Sequence, residues 1–106
     1  MYEKLLKTVT NLGSPKILLV GDFMLDVYIY GDALRISPEA PVPVLKVNKT
    51  EYRCGGAGSV ATDLAALGAM PVCIGVIGDD QNGKILRERL IKAGADVSGL
   101  YTVPGR

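Results

Sequence analysis

Three glycines within four residues, Gly55-Gly56-Ala57-Gly58, followed by Ser59-Val60-Ala61, constrain this chain more than any other segment. Glycine has no Cβ, so the backbone there can lie against a ligand or adopt positive φ without steric cost. The alanine-rich run behind it reads as a helix, and the start of a helix directs unpaired N–H groups outward. Such a site suits a polar small molecule carrying hydroxyls or phosphate.

The rest of the chain supplies an α/β framework. Tyr2 to Leu12 has Leu5, Leu6, Val9 and Leu12 at helical spacing, and Gly13-Ser14-Pro15 ends that helix. Ile17-Leu18-Leu19-Val20 lacks polar alternation, the pattern of a parallel strand buried on both faces. Asp26 to Gly31 and Val42 to Arg53 read as two strands of an antiparallel flap outside the main sheet. Between them, Asp32 to Pro43 reads as a loop carrying three prolines. Gly58 to Leu67 predicts a buried helix closed by Gly68, and Pro71 to Gly78 a second buried strand. Asp80 is placed to cap a helix over Gln81 to Ala93, with an inward stripe of Ile85, Leu86, Leu90 and Ile91 and Gly94 just beyond it. Leu100 to Val103 could begin another strand. Strands alternating with helices of this length indicate a parallel sheet.

Composition removes several function classes. The 106 residues are enough for one small domain, and 12 basic against 11 acidic residues leave a net charge of +1 with no basic cluster. Nucleic acid and anionic membranes are therefore not expected partners. With no histidine, Ser/His and Cys/His nucleophiles and nearly all zinc sites are excluded for the chain alone. Cys54 and Cys73 lack metal-type spacing and read as reduced, small apolar side chains of a cytoplasmic protein. The longest uncharged run, Leu64 to Gly78, is interrupted by Gly68, Pro71 and Gly75 and is short of a membrane span.

Several constellations carry chemistry. Gly56-x-Gly58-x-x-Ala61, with Asp79 downstream, matches the dinucleotide fingerprint in form, although the strand before it is polar. The same glycines would also serve tight helix–sheet packing. Asp22 and Asp26 follow the first buried strand, at the end of the sheet where α/β proteins bind ligands. A carboxylate there accepts charge-assisted hydrogen bonds from vicinal hydroxyls, and Asp22 is the better candidate for capping a turn instead. Asp79 and Asp80 suit a helix start. Arg35 could contact a phosphate or stand as a solvated loop charge.

Gly21-Asp22…Asp26, the flap and Gly55 to Ala61…Gly68…Gly78 together resemble the start of a ribokinase-type (PfkB) carbohydrate kinase, from about Lys16 onward. Within that family, Arg35-Ile36-Ser37-Pro38-Glu39-Ala40-Pro41-Val42-Pro43-Val44 is similar to the heptose 7-phosphate kinase part of the ADP-heptose synthases. The resemblance implies a ribokinase-like parallel sheet with helices on both faces and a small β-flap lid over residues 32–53. Residues 1–106 would be the N-terminal part of a single kinase domain.

The activity so implied is transfer of the ATP γ-phosphate, with Mg²⁺, to a hydroxyl of D-glycero-D-manno-heptose 7-phosphate on the route to ADP-heptose and lipopolysaccharide. Asp26 would bind sugar hydroxyls, while Gly55 and Gly56 would let the backbone approach the sugar. Ser59 stands where the family usually has asparagine, which leaves the identity of the sugar open. The family's catalytic aspartate and ATP site lie in its C-terminal half. The expectation is therefore no catalytic residue, ATP or Mg²⁺ on this chain alone, and no kinase activity from it. A homodimer through the flap is a further implied partner. Two alternatives remain: another sugar or nucleoside kinase of the family, or a non-catalytic module that binds a ligand or dimerises.

Overall fold

A computed structural model describes residues 1–105, with the side chains of Leu34 and Arg35 outside the description. Helix α1 (Tyr2–Thr10) leads through Gly13 into strand β1 (Lys16–Val20). Two long strands follow, β2 (Phe23–Ile36) and β3 (Pro43–Gly56), and β3 runs directly into helix α2 (Ala57–Ala66). Strand β4 (Met70–Gly78), helix α3 (Gln81–Ala93) and strand β5 (Asp96–Val103) complete the order. The strands form two sheets: a parallel one in the order β1-β4-β5, and an antiparallel ribbon of β2 with β3.

Local chemistry accounts for the best-defined element. The Asp80 side chain accepts from the Gly83 N–H at 2.8 Å, which satisfies one of the unpaired donors at the start of α3. At the other end Gly94 adopts φ +100°, and its N–H returns to the Ile91 carbonyl. Leu86 and Leu90 face inward as expected, whereas Ile91 is exposed. Arg87 crosses from α3 to β5 and donates to the carbonyls of Val97 (3.2 Å) and Leu100 (2.9 Å) and to Thr102 Oγ1 (3.1 Å). That clamp holds helix and strand together beside the core.

Phe23, Ala61, Cys73, Ile77, Leu86, Leu90 and Leu100 make up the core. Ala61 of α2 and both leucines of α3 meet the same face of β4, so the two packed helices lie together on one side of the sheet. On the opposite side Val72, Ile74 and Val76 of β4 are half-buried, while the neighbouring residues of β1 are open. Leu18 is 70% and Val20 72% exposed, which corrects the expectation of a strand buried on both faces. An unbroken apolar run signals two faces that need cover, but the cover must come from elements outside the run itself. Helix α1 likewise leaves Leu5, Leu6, Val9 and Leu12 exposed. Helix α2 buries only Gly58 and Ala61, less than its composition suggests.

The ribbon is longer than the sequence pattern indicates. β2 continues through Gly31 and Asp32 to Ile36, and irregularities between Tyr30 and Gly31 and between Ala33 and Arg35 absorb the polar stretch. Pro43 fits because it is the first residue of β3, where a missing N–H costs little. The chain is extended rather than compact: the radius of gyration is 19.0 Å, against about 13 Å for a compact domain of this size.

Candidate functional site

Strand β1 ends beside α2, and the turn at Gly21-Asp22 swings the chain into β2. The Asp22 carbonyl accepts from the Ala57 N–H at 2.8 Å, tying the root of β2 to the first residue of α2. Asp22 thus supports the junction through its backbone; among the described residues its side chain caps nothing.

In the ribbon register, Met24 lies opposite Gly55, Leu25 opposite Cys54, and Asp26 opposite Arg53. Directly paired residues share a face and neighbours along a strand alternate. Leu25 and Cys54 turn toward the core, so Asp26, Arg53 and Gly55 occupy the other face. There the Asp26 carboxylate lies over Gly55: a Cβ on Gly55 would stand 2.6 Å from Asp26 Cγ and 2.7 Å from Oδ1. Only a residue without a side chain permits that approach. Gly56 follows with φ +56° and caps α2, and a Cβ on it would meet both the Asp22 carbonyl oxygen and the Met24 methyl at 2.5 Å.

The structure therefore brings the exposed Asp26 carboxylate over the buried Gly55, with Gly56 next in the chain at the start of α2. Among the described residues no donor bonds the Asp26 carboxylate, which leaves its two oxygens able to accept hydroxyl hydrogens. Met24 is the neighbour that the sequence reading missed. Its thioether gives the patch an apolar flank, and only strand register could have revealed it.

Ser59 is placed elsewhere. It lines a groove of about 520 Å³ with Tyr52, Arg53, Cys54, Thr62, Arg89 and Lys92, to which Asp26 and Gly55 do not contribute. Tyr52 and Cys54 stand on the ribbon face opposite Asp26, so Asp26 lies outside the groove, while Arg53, its cross-strand partner, borders both. Burial pushes the Cys54 thiol above its ordinary range, with Arg89 working weakly the other way. A smaller cavity of about 290 Å³ lies at the end of β4, where Asp80 is already committed to its helix. The Arg35 side chain lies outside the described residues.

Farther out on the Asp26 face, Glu51 accepts from Tyr30 Oη and Arg53 and pairs with Lys49, each at 3.1 Å. Hydrogen bonding to Lys49 and then Tyr30 holds its carboxyl below the usual carboxylate range. Arg53 lies 4.8 Å from the Tyr28 ring centroid and Lys49 5.6 Å from that of Tyr30.

Among the described residues no three His, Cys, Asp or Glu side chains converge. The start of α3 is closed by Asp80 with Asp79 beside it, a pair that repels a triphosphate. The dinucleotide pattern also falls away, because the strand feeding Gly56-x-Gly58-x-x-Ala61 belongs to the ribbon rather than to the parallel sheet. No helix is long and apolar enough to cross a membrane among the described residues.

Residues 14–106 match the model of the pfkB family carbohydrate kinases. Bifunctional protein HldE of Trichlorobacter lovleyi is 45% identical over 106 residues, all of this chain and 21% of its own length. Its namesake in Geobacter metallireducens is 52% identical over 89 residues, covering 84% of this chain and 18% of its own. The chain thus spans about a fifth of the length of these curated relatives. Among solved structures, the ribokinase of Cryptococcus neoformans in complex with ADP superposes with a TM-score of 0.63 at 25% identity, covering 87% of this chain and 28% of the other. Fructokinase of Xylella fastidiosa with bound ATP gives 0.64 at 22% identity, covering 85% and 26%, and so shares the fold.

Proposed function

Since this chain belongs to the pfkB family of carbohydrate kinases, we propose that it is the sugar-binding, lid-bearing N-terminal part of a kinase acting on D-glycero-D-manno-heptose 7-phosphate. The observation that carries this reading is the exposed Asp26 carboxylate seated over the buried Gly55. Asp26 accepts hydrogen bonds from adjacent sugar hydroxyls and fixes the orientation of the ring. Gly55 and Gly56 let the ring approach the backbone, and the ribbon closes above it to exclude water. The nucleotide, the metal and the catalytic base belong to the rest of the enzyme. The product, an anomeric phosphate, is suited to nucleotide activation toward ADP-heptose.

Two accompanying features follow from the same reading. The ribbon has two strands, each with an unpaired edge, which favours association with a second copy. The enzyme would work in the cytoplasm, where sugar phosphates and ATP are available. A different sugar within the same family is the competing reading, favoured by Ser59 standing in a groove away from Asp26.

The test is a phosphorylation assay of the complete enzyme against a panel of sugars and sugar phosphates. Preferred turnover of heptose 7-phosphate is expected, with none from residues 1–106 alone. Preference for an unrelated sugar would reject the assignment, and turnover by the isolated chain would reject the division of labour.

A further inference from the structure

Arg53 stands directly across the ribbon from Asp26, and the two side chains share the face that carries Gly55. Opposite charges in that register, with Cβ atoms about 5 Å apart, ordinarily join. Here they do not. The guanidinium lies against the Tyr28 ring and donates to Glu51 at 3.1 Å, one step farther along the ribbon. Two consequences follow. The Asp26 oxygens stay open, and Arg53 is held on two sides while remaining 60% exposed.

The charge balance points the same way. Glu51 is shared between Lys49 and Arg53, so that row of three carries a net positive charge beside the Asp26 patch. Of the five N–H donors of a guanidinium, the bond to Glu51 uses one. A planar, pre-positioned fork with donors to spare is suited to an anionic tetrahedral group. The face therefore offers an acceptor for hydroxyls and, next to it, a donor set for an anion.

We propose that Arg53, positioned by Tyr28 and Glu51, selects a phosphorylated over an unphosphorylated sugar by pairing with the phosphate that the substrate already carries. This rests on the sugar-binding reading of Asp26 and Gly55 and assigns the part of that surface they leave open. Lys49, bound to Glu51 and lying near Tyr30, sets the local charge rather than touching the ligand.

The experiment compares kcat/KM of the complete kinase for heptose 7-phosphate and for the same heptose without its phosphate. Arg53→Met is expected to shrink the ratio between the two by about 30-fold, mainly through KM of the phosphorylated sugar. Arg53→Lys, which keeps the charge but not the fork, should fall between the two. An Arg53→Met enzyme with the wild-type ratio, whether its overall activity is high or low, overturns the proposal alone. A wild-type enzyme that turns over no sugar phosphate, or prefers the unphosphorylated sugar, overturns the reading beneath it and the proposal together.

Discussion

Gly55→Ala separates a binding defect from a folding defect. Gly55 does not have positive φ, so alanine suits its backbone. The difficulty is the new methyl, which would clash with the Asp26 carboxylate, most severely with Oδ2. Asp26 is exposed and can swing aside. A forced departure from a preferred rotamer costs about 0.5–1.5 kcal/mol. Replacing glycine by alanine returns about 0.4–1 kcal/mol by restricting the unfolded chain. Stability should therefore change by less than about 1 kcal/mol.

Sugar binding should not be spared. A displaced carboxylate forfeits charge-assisted bonds to hydroxyls, a loss of about 2–3 kcal/mol, or about 30- to 150-fold in affinity. Asp26→Ala should cost the same. The double variant should be no weaker than either single one, because both remove one contact. Thermal unfolding and calorimetric titration of the complete enzyme with sugar phosphate read the two quantities separately. Unchanged affinity in Gly55→Ala, or losses that add in the double variant, would refute the reasoning.

Asp80→Ala should lower stability by about 1 kcal/mol through loss of the α3 cap, read as a reduced Tm, with sugar affinity retained. Burial raises both thiols above their ordinary value of 9.0, so the fold favours the protonated form. That contribution is complete below pH 9 and is lost as pH rises past it; a pH series of unfolding should show stability declining on the alkaline side, and less so for Cys73→Ala.

The parts of the fold that were legible in the sequence rest on local chemistry. Asp80 and Gly94 bracket α3 because capping uses donors and acceptors within a few residues of each other. The ribbon beyond Gly31 was not legible, since Asp32 and its neighbours are held by cross-strand pairing rather than by their own strand preference. Leu18 and Val20 misled because an apolar run states a need for cover without saying where the cover lies.

At the site, Asp26 and the glycine pair could be named from their types and positions. Their contact could not, because it depends on a register linking residues far apart in sequence. The same register separates Ser59 from Asp26 and brings in Met24 and Arg53. The Arg87 clamp bonds carbonyls, which every residue carries, so no pattern of side chains announces it.

The most direct measurement is a crystal structure of the complete kinase with its sugar phosphate bound. It should place a sugar hydroxyl within about 3 Å of an Asp26 carboxylate oxygen, with the ring against Gly55 and Gly56. A sugar seated instead in the groove of Ser59, Thr62 and Arg89, with Asp26 facing only solvent, would contradict the account.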